Sequence, residues 1–187
     1  MSSKRNFLKQ FLKDKQMVGA VRPSTRFLCE KMLENVDFNN SKLIIELGPG
    51  TGVFTEEIIL RMRPDAKLLI FELNDNFYET LNQRINDPRV QLIHDSAVHI
   101  SKYLPESEKN NVDVIISSLP LMVFPEILRK KVVLQARSSL RNGGQYIQFQ
   151  YSLQSKKLLE AIYEEVKVKF TIKNFPPAFV YTCAKKK

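Results

Sequence analysis

The sequence predicts an α/β domain with a mostly parallel, seven-stranded sheet, helices on both of its faces and an antiparallel strand near the C-terminus. Three observations predict it. Between residues 42 and 150, short apolar runs alternate with segments of helical period, as in a chain that passes between parallel strands by way of helices. A glycine-rich turn, Gly48-Pro-Gly-Thr-Gly52, joins the first apolar run to the first helical segment after it. Near the end, Val166-Lys-Val-Lys-Phe-Thr-Ile172 alternates apolar and polar residues, Pro176-Pro177 turns the chain, and Ala178-Phe-Val-Tyr-Thr-Cys183 returns beside it.

The elements follow in order. Phe7, Leu8, Phe11 and Leu12 form one stripe of an N-terminal helix, with Arg5, Lys9 and Lys13 on its other side. Val18 to Ser24 breaks that helix, and the next runs from Thr25 to Asn35. Ser41 to Leu47 reads as the first strand of the sheet, Val53 to Arg61 as the helix leaving the glycine turn, and Lys67 to Glu72 as the second strand. Asn76 to Ile85 is helical and stops ahead of Asp87-Pro88, because the residue before a proline is disfavoured in the helical region. Val90 to His94 and Val112 to Ser117 are strands three and four. A helix from about Pro125 to Leu140 is ended by Arg141-Asn-Gly-Gly144, Gln145 to Tyr151 is the fifth strand, and Leu153 to Glu164 is the last helix. Residues 1–40 form a helical N-terminal part and 41–187 a single globular unit.

Composition excludes several classes. The 187 residues, 43% hydrophobic and 26% charged, suit one soluble domain with a proper core. Apolar runs such as Leu68 to Phe71 are far short of the roughly 20 residues needed to cross a bilayer, and the basic N-terminus lacks the apolar stretch of a secretory signal. The expected location is the cytoplasm. Cys29 and Cys183 lie far apart with no histidine spaced for a metal site, so both read as buried thiols and no metal is expected. The formal net charge is +9. Lys4, Arg5, Lys9, Lys13, Lys15, Arg22, Arg26 and Lys31 are opposed only by Asp14 and Glu30 in the first segment, which suits a nucleic acid, an anionic membrane surface, or solubility alone.

The glycine turn carries the chemistry. Glycines at 48, 50 and 52 admit positive φ and let a ligand approach the backbone, while the following helix presents its free N–H groups to the same space. Glu46 precedes the turn, where its carboxylate suits a ligand with an ammonium group and opposes a pyrophosphate. Glu72 ends the second strand, where a carboxylate can accept two ribose hydroxyls. Asp95 follows the third strand, either facing the ligand or capping the helix after it.

Glu46-x-Gly-x-Gly-x-Gly52 resembles motif I of S-adenosylmethionine-dependent methyltransferases of class I, which have a Rossmann-like fold. That resemblance implies S-adenosylmethionine as cofactor and S-adenosylhomocysteine as product. It places Glu46, Gly48, Pro49, Gly50, Thr51, Gly52 and Phe54 at the amino-acid end of the cofactor, Glu72 and Leu73 at the ribose, Asp95 and Ser96 at the adenine, and Ser117 beside the sulfonium. The fourth strand ends Ser117-Ser-Leu-Pro-Leu121, which is similar to the Asn-Leu-Pro-Tyr loop of ribosomal RNA adenine dimethyltransferases. Serines stand where that family has asparagine, and Leu121 replaces the aromatic residue on which a base would stack; Phe124 lies close by.

A longer resemblance is to bacterial phospholipid N-methyltransferases. It runs through Val18-Gly-Ala-Val-Arg-Pro-Ser-Thr-Arg26, Glu46 to Thr55, Ser118-Leu-Pro-Leu121, Gln148-Phe-Gln-Tyr151 and Asn174-Phe-Pro-Pro-Ala178. It implies methyl transfer to the amine of phosphatidylethanolamine by an enzyme peripheral on the inner face of the membrane. Its partners would be an anionic bilayer and the phospholipid, and the competing partner is RNA. Ser117, Ser118 and Tyr151 would orient the nitrogen, and Arg22, Ser24, Arg26, Leu119 and Pro120 would bind the substrate. The N-terminal helix would lie on the membrane or fold back over the cofactor. His94 and His99 read as structural or as bases.

Overall fold

The computed structural model describes residues 23–172, 174 and 176–186, with side chains from Arg26 onward. The expected N-terminal amphipathic helix, Arg22 and the side chain of Ser24 lie outside the described residues. Helix α1 (Pro23–Leu33) precedes β1 (Leu43–Leu47), α2 (Val53–Arg61), β2 (Lys67–Phe71), α3 (Asp75–Arg84) and β3 (Val90–Ile93). Then come β4 (Val112–Ser117), α4 (Glu126–Ser139), β5 (Leu140–Gln150), α5 (Lys156–Ile162), β6 (Glu165–Thr171) and β7 (Ala178–Ala184). Short 3-10 turns at Ala97–Lys102, Leu121–Val123 and Leu153–Ser155 complete the order.

The sheet has seven strands in the order β3-β2-β1-β4-β5-β7-β6. Strands β1 to β5 pair in parallel, and β7 is antiparallel to both of its neighbours. The expected fold class is therefore observed, including its antiparallel C-terminal strand. Strand order reverses direction at β1, with β2 on one side and β4 on the other, and in such sheets ligands bind beyond the carboxyl ends of those strands.

Alternation along the strands divides the core in two. Ile44, Leu68, Ile70, Val114 and Ile116 pack with Phe54 and Ile58 of α2 and with Leu28, Cys29, Met32 and Leu33 of α1. Ile45, Leu47, Leu69, Phe71 and Ile115 pack on the opposite face with Ile100 of the 3-10 turn, Val132, Val133 and Ala136 of α4, and Leu159. Burial on both faces explains why the central strands read as continuous apolar runs. Helix α1 is integral to this core, so packing does not divide the molecule at residue 40.

Two boundaries differ from expectation. Residues 141–144 do not form a loop between helix and strand: β5 begins at Leu140, directly after α4, and its register to β4 shifts between Val112 and Val114. The irregularity accommodates Gly143 at φ +78°, whose N–H donates to the Lys185 carbonyl at 2.7 Å. The last helix is also shorter than expected, because its first turn is 3-10 and only Lys156–Ile162 is α-helical.

Gly144 sits where a side chain has no room. A Cβ there would lie 2.9 Å from the Val112 carbonyl oxygen and 3.0 Å from that of Arg141. Backbone atoms cannot swing aside as a side chain can, so Gly144→Ala is expected to destabilise the fold by about 1–3 kcal/mol, the usual cost of overpacking. Chemical denaturation measures it, and an unchanged midpoint would contradict this account of the bulge.

Candidate functional site

The carboxyl ends of β1, β2 and β4 open into a cleft. The glycine turn forms its floor. Gly48, Gly50 and Gly52 all have positive φ, at +68°, +59° and +86°. Gly48 is held by its N–H to the Phe71 carbonyl at 2.9 Å, and a Cβ on it would meet Leu119 Cδ2 at 2.7 Å. The turn and the loop after β4 are thus packed together, and glycine is what allows the approach. A Cβ on Gly50 would meet no atom of the described residues within 4 Å, which leaves open space on the cleft side of the turn.

Glu72 lines the cleft and binds the turn to the end of β2. One carboxylate oxygen accepts the Asn74 N–H at 2.7 Å and the other accepts the Gly50 N–H at 3.2 Å. Burial raises its pKa, and these N–H donors partly offset that by favouring the anion. Each oxygen keeps a lone pair for a hydroxyl donor from a ligand.

Glu46 is hidden beneath the turn and is not among the lining residues. It is wholly inaccessible; one oxygen accepts the Thr55 hydroxyl at 2.6 Å and Oε1 has no partner among the described residues. Burial pushes its pKa up to about 8, against the hydrogen bond from Thr55 and with a contribution from the Glu72 charge. An orphaned buried carboxylate oxygen has unused capacity for a donor such as an ammonium.

Asp95 and Ser96 close the far side. Asp95 Oδ1 accepts the Ser96 N–H at 2.7 Å and lies 2.8 Å from His99 Nδ1, while Oδ2 accepts the Tyr103 hydroxyl at 2.9 Å. Burial opposes ionisation of Asp95, but these three contacts outweigh it and hold its pKa below the usual carboxylate range. Oδ2 retains capacity for one further donor. It is Ser96, not Asp95, that caps the following 3-10 turn, through Val98 N–H. His99 is thereby occupied in orienting Asp95. His94 stacks on Tyr78 with ring centroids 4.4 Å apart and contacts Asp75 at 3.1 Å, so neither histidine faces the cleft as a free base.

The acceptor side corrects several expectations. Ser118, Leu119 and Pro120 do line the cleft. Ser118 N–H is tied to the Leu47 carbonyl at 2.9 Å, and its hydroxyl is buried with no partner among the described residues. Ser117 is different. It points into the sheet face covered by α4, is fully buried, and its Oγ accepts the Leu119 N–H at 3.4 Å. Of the two serines, only Ser118 is a lining residue of the cleft.

Tyr151 is exposed beyond β5, edge-on to Phe149, which in turn stacks on Phe54. Arg26 is exposed and 3.8 Å from Glu30, and it does not line the cleft. Thr51 and Pro49 shape the turn from behind: the Thr51 carbonyl accepts from Arg84 and that of Pro49 from Gly52. Leu73 lines the cleft, as expected. Phe77, Ala97, Leu128 and Val132 also line it and were legible only as core positions, since an apolar wall has the same sequence pattern as a core.

The residues present fit S-adenosylmethionine. A glycine cradle open on one side, a buried orphaned carboxylate oxygen, a cleft carboxylate with free lone pairs and a second at the far wall match its ammonium, ribose and adenine donors. Comparison with known proteins agrees. The sequence model of a family described as ribosomal RNA adenine dimethylase matches residues 2–143. The ornithine lipid N-methyltransferase of Singulisphaera acidiphila is 25% identical over 179 residues, which cover 95% of this chain and 93% of that protein. Ribosomal RNA small subunit methyltransferase A of Mycoplasma capricolum is 28% identical over 121 residues, covering 64% of this chain but 44% of that one. Among solved structures, a Burkholderia thailandensis 1,6-didemethyltoxoflavin-N1-methyltransferase with bound S-adenosylhomocysteine superposes with a TM-score of 0.73 at 12% identity, over 98% of this chain and 87% of that one. At that identity the likeness concerns the fold.

The buried Glu46 has a consequence for stability. Its folded pKa, about 8, exceeds the ordinary value of 4.5, so the native state holds a proton that the unfolded state has lost between those pH values. Stability of the cofactor-free protein is expected to fall as pH rises from about 4.5 towards 8. Glu46→Gln is expected to flatten that slope in denaturation measured across the range, and an equally steep slope in the variant would show that Glu46 is not its source.

Proposed function

The chain belongs to the ribosomal RNA adenine dimethylase family, which makes it an S-adenosylmethionine-dependent methyltransferase, and we propose that its acceptor is the amine of a membrane aminolipid such as phosphatidylethanolamine. The observation that carries this reading is the apolar rim beside the cleft. Val123 and Ile127 are exposed, Ile127 at 67%, and they flank Phe124 and Leu128, which line the cleft. Leu153 and Tyr151 are exposed nearby, after β5. Lys130, Lys131 and Lys157 are exposed on α4 and α5, and no ion pair is recorded for them among the described residues. Apolar side chains ringed by cations suit the boundary between acyl chains and anionic headgroups.

Two further points support a lipid over RNA. Leu121, where a stacking aromatic would be needed, is fully buried. The lipid-modifying relative is matched along 93% of its length, whereas the RNA-modifying relative is matched along 44%. Among the described residues no helix is long and apolar enough to cross a membrane.

When bound, S-adenosylmethionine supplies an electrophilic methyl: the amine lone pair takes it, the carbon–sulfur electrons stay on sulfur, and the nitrogen's spare proton leaves to water. The protein's part is to bind, orient and exclude water. Glu72 would accept the ribose hydroxyls, Asp95 the adenine amino group, and Glu46 Oε1 a donor from the amino-acid end. Ser118 Oγ accepts a hydrogen from the neutral amine and aims its lone pair, while Leu119 and Pro120 keep water from the reacting atoms.

Labelled S-adenosylmethionine offered to phosphatidylethanolamine vesicles, ornithine-lipid vesicles and ribosomal RNA is expected to label lipid. Label confined to RNA would reject the lipid reading. Ile127→Glu is expected to weaken vesicle binding several-fold, with Leu60→Glu, an exposed apolar site on α2, as the unaffected control. Glu72→Ala is expected to lose at least about tenfold in cofactor affinity by calorimetry with the fold kept, the loss of a charge-assisted pair of hydrogen bonds; normal binding would overturn the ribose assignment.

A further inference from the structure

One arginine beside the cleft has no anion opposite it. The other seven arginines of the described residues each pair with an aspartate or a glutamate. For Arg129, in the first turns of α4, no ion pair is recorded among the described residues, and Glu126, the acid at the start of the helix, is exposed. Arg129 Nη1 donates to the Met122 sulfur at 3.2 Å, and Nε is buried without a partner. A thioether is a weak acceptor, whereas a guanidinium has five N–H donors and keeps its charge throughout the pH range of proteins. The side chain is half-buried. Its charge is therefore partly withdrawn from water, and no opposite charge offsets that cost.

Arg129 stands where the cleft meets the apolar rim. Its contact, Met122, lies in the turn that follows Pro120, and Pro120, Phe124 and Leu128 line the cleft. Val123 and Ile127, the chain neighbours of Met122 and Leu128, are exposed. One stretch of chain thus carries a wall for a reacting amine, an unpaired cation and exposed apolar side chains. A zwitterionic aminolipid combines the matching parts in one molecule. In phosphatidylethanolamine the amine is joined through two carbons to a phosphodiester, and beyond that to the acyl chains; in an ornithine lipid the headgroup anion is a carboxylate. A guanidinium offers either oxyanion a planar pair of donors, and such charge-assisted bonds are roughly twice as strong as neutral ones.

We propose that Arg129 is an anion subsite for the acceptor, which holds the oxyanion of a zwitterionic aminolipid headgroup while its amine enters the cleft. The proposal rests on the reading of the acceptor as a membrane aminolipid. It narrows that class to lipids whose amine and anion share one headgroup. Holding the anion fixes the headgroup at a second point, which restricts where the nitrogen can lie before transfer. The same contact supplies the counter-charge that the guanidinium otherwise lacks.

The test uses micelles of a non-ionic detergent, which carry no charge of their own. They are loaded with phosphatidylethanolamine, ornithine lipid or octadecylamine, a long-chain amine without an oxyanion. Wild-type protein is expected to methylate one or both of the zwitterionic lipids in preference to octadecylamine. Arg129→Gln is expected to raise KM for the preferred lipid. Its preference over octadecylamine, as a ratio of kcat/KM values, is expected to fall about tenfold, the loss of a charge-assisted contact. The cofactor Kd by calorimetry is expected to stay within about threefold, and the thermal midpoint of the free protein to be equal or higher, because an unpaired charge has been removed. The lipid whose preference falls identifies the anion as phosphate or carboxylate. A preference unchanged by the substitution overturns the proposal, and so does wild-type protein that labels octadecylamine as readily as either lipid. A variant that loses cofactor affinity and thermal stability together also overturns it, since that pattern marks a structural role. Label in ribosomal RNA alone, offered in parallel, removes the proposal together with the reading it rests on, whereas lipid label with an unchanged preference removes the proposal alone.

Discussion

Leu47, Phe71 and Ser117 lie side by side at the ends of β1, β2 and β4, because these strands pair in parallel with their last residues in register. Parallel pairing sends every chain out of the sheet at the same edge. The glycine turn, Glu72 and the loop from Ser118 therefore arrive together without any long connection having to reach across. What locks them is the contact of Leu119 with Gly48, where a Cβ would stand 2.7 Å from the leucine side chain. The cofactor turn and the acceptor loop are one packed unit, so a change in either is felt by the other.

Electrostatics at this edge is uneven by construction. Glu46 and Glu72 are both buried and both pushed above their ordinary pKa by desolvation, whereas Asp95 is held below it by three donors. The difference lies in hydrogen bonding: Asp95 has partners on both oxygens, and Glu46 has one oxygen without any among the described residues. Leaving a buried polar atom unpaired costs on the order of 1–3 kcal/mol. A cost of that size at the base of a ligand cleft is consistent with capacity held for a ligand.

Helix α4 serves two surfaces at once. Leu128 and Val132 face the cleft, while Ile127, Lys130, Lys131 and Leu134 face outward. An acceptor held in the cleft thus lies one helix diameter from exposed apolar side chains, about 10 Å. A lipid can satisfy that geometry with its headgroup in the cleft and its chains at the rim.

By itself the sequence determined the sheet, its antiparallel ending, the glycine turn and the three acidic positions. Each of these is a local pattern: apolar runs between helical periods, glycines where φ is positive, carboxylates at successive strand ends. Tertiary structure decided what depends on contacts between distant segments. Ser117 and Ser118 look equivalent in the chain, but the first ends β4 fully buried and the second, in the loop after it, lines the cleft. Arg26 reads as a substrate-binding residue until its helix is placed with that side chain in solvent. Gln148 and Gln150 read as polar residues in a strand, because the Leu119 carbonyl they share lies 29 and 31 residues earlier. That shared partner comes from the packing of the loop after β4 against β5, and a side chain's partner across a sheet is fixed by packing rather than by its own neighbours in sequence.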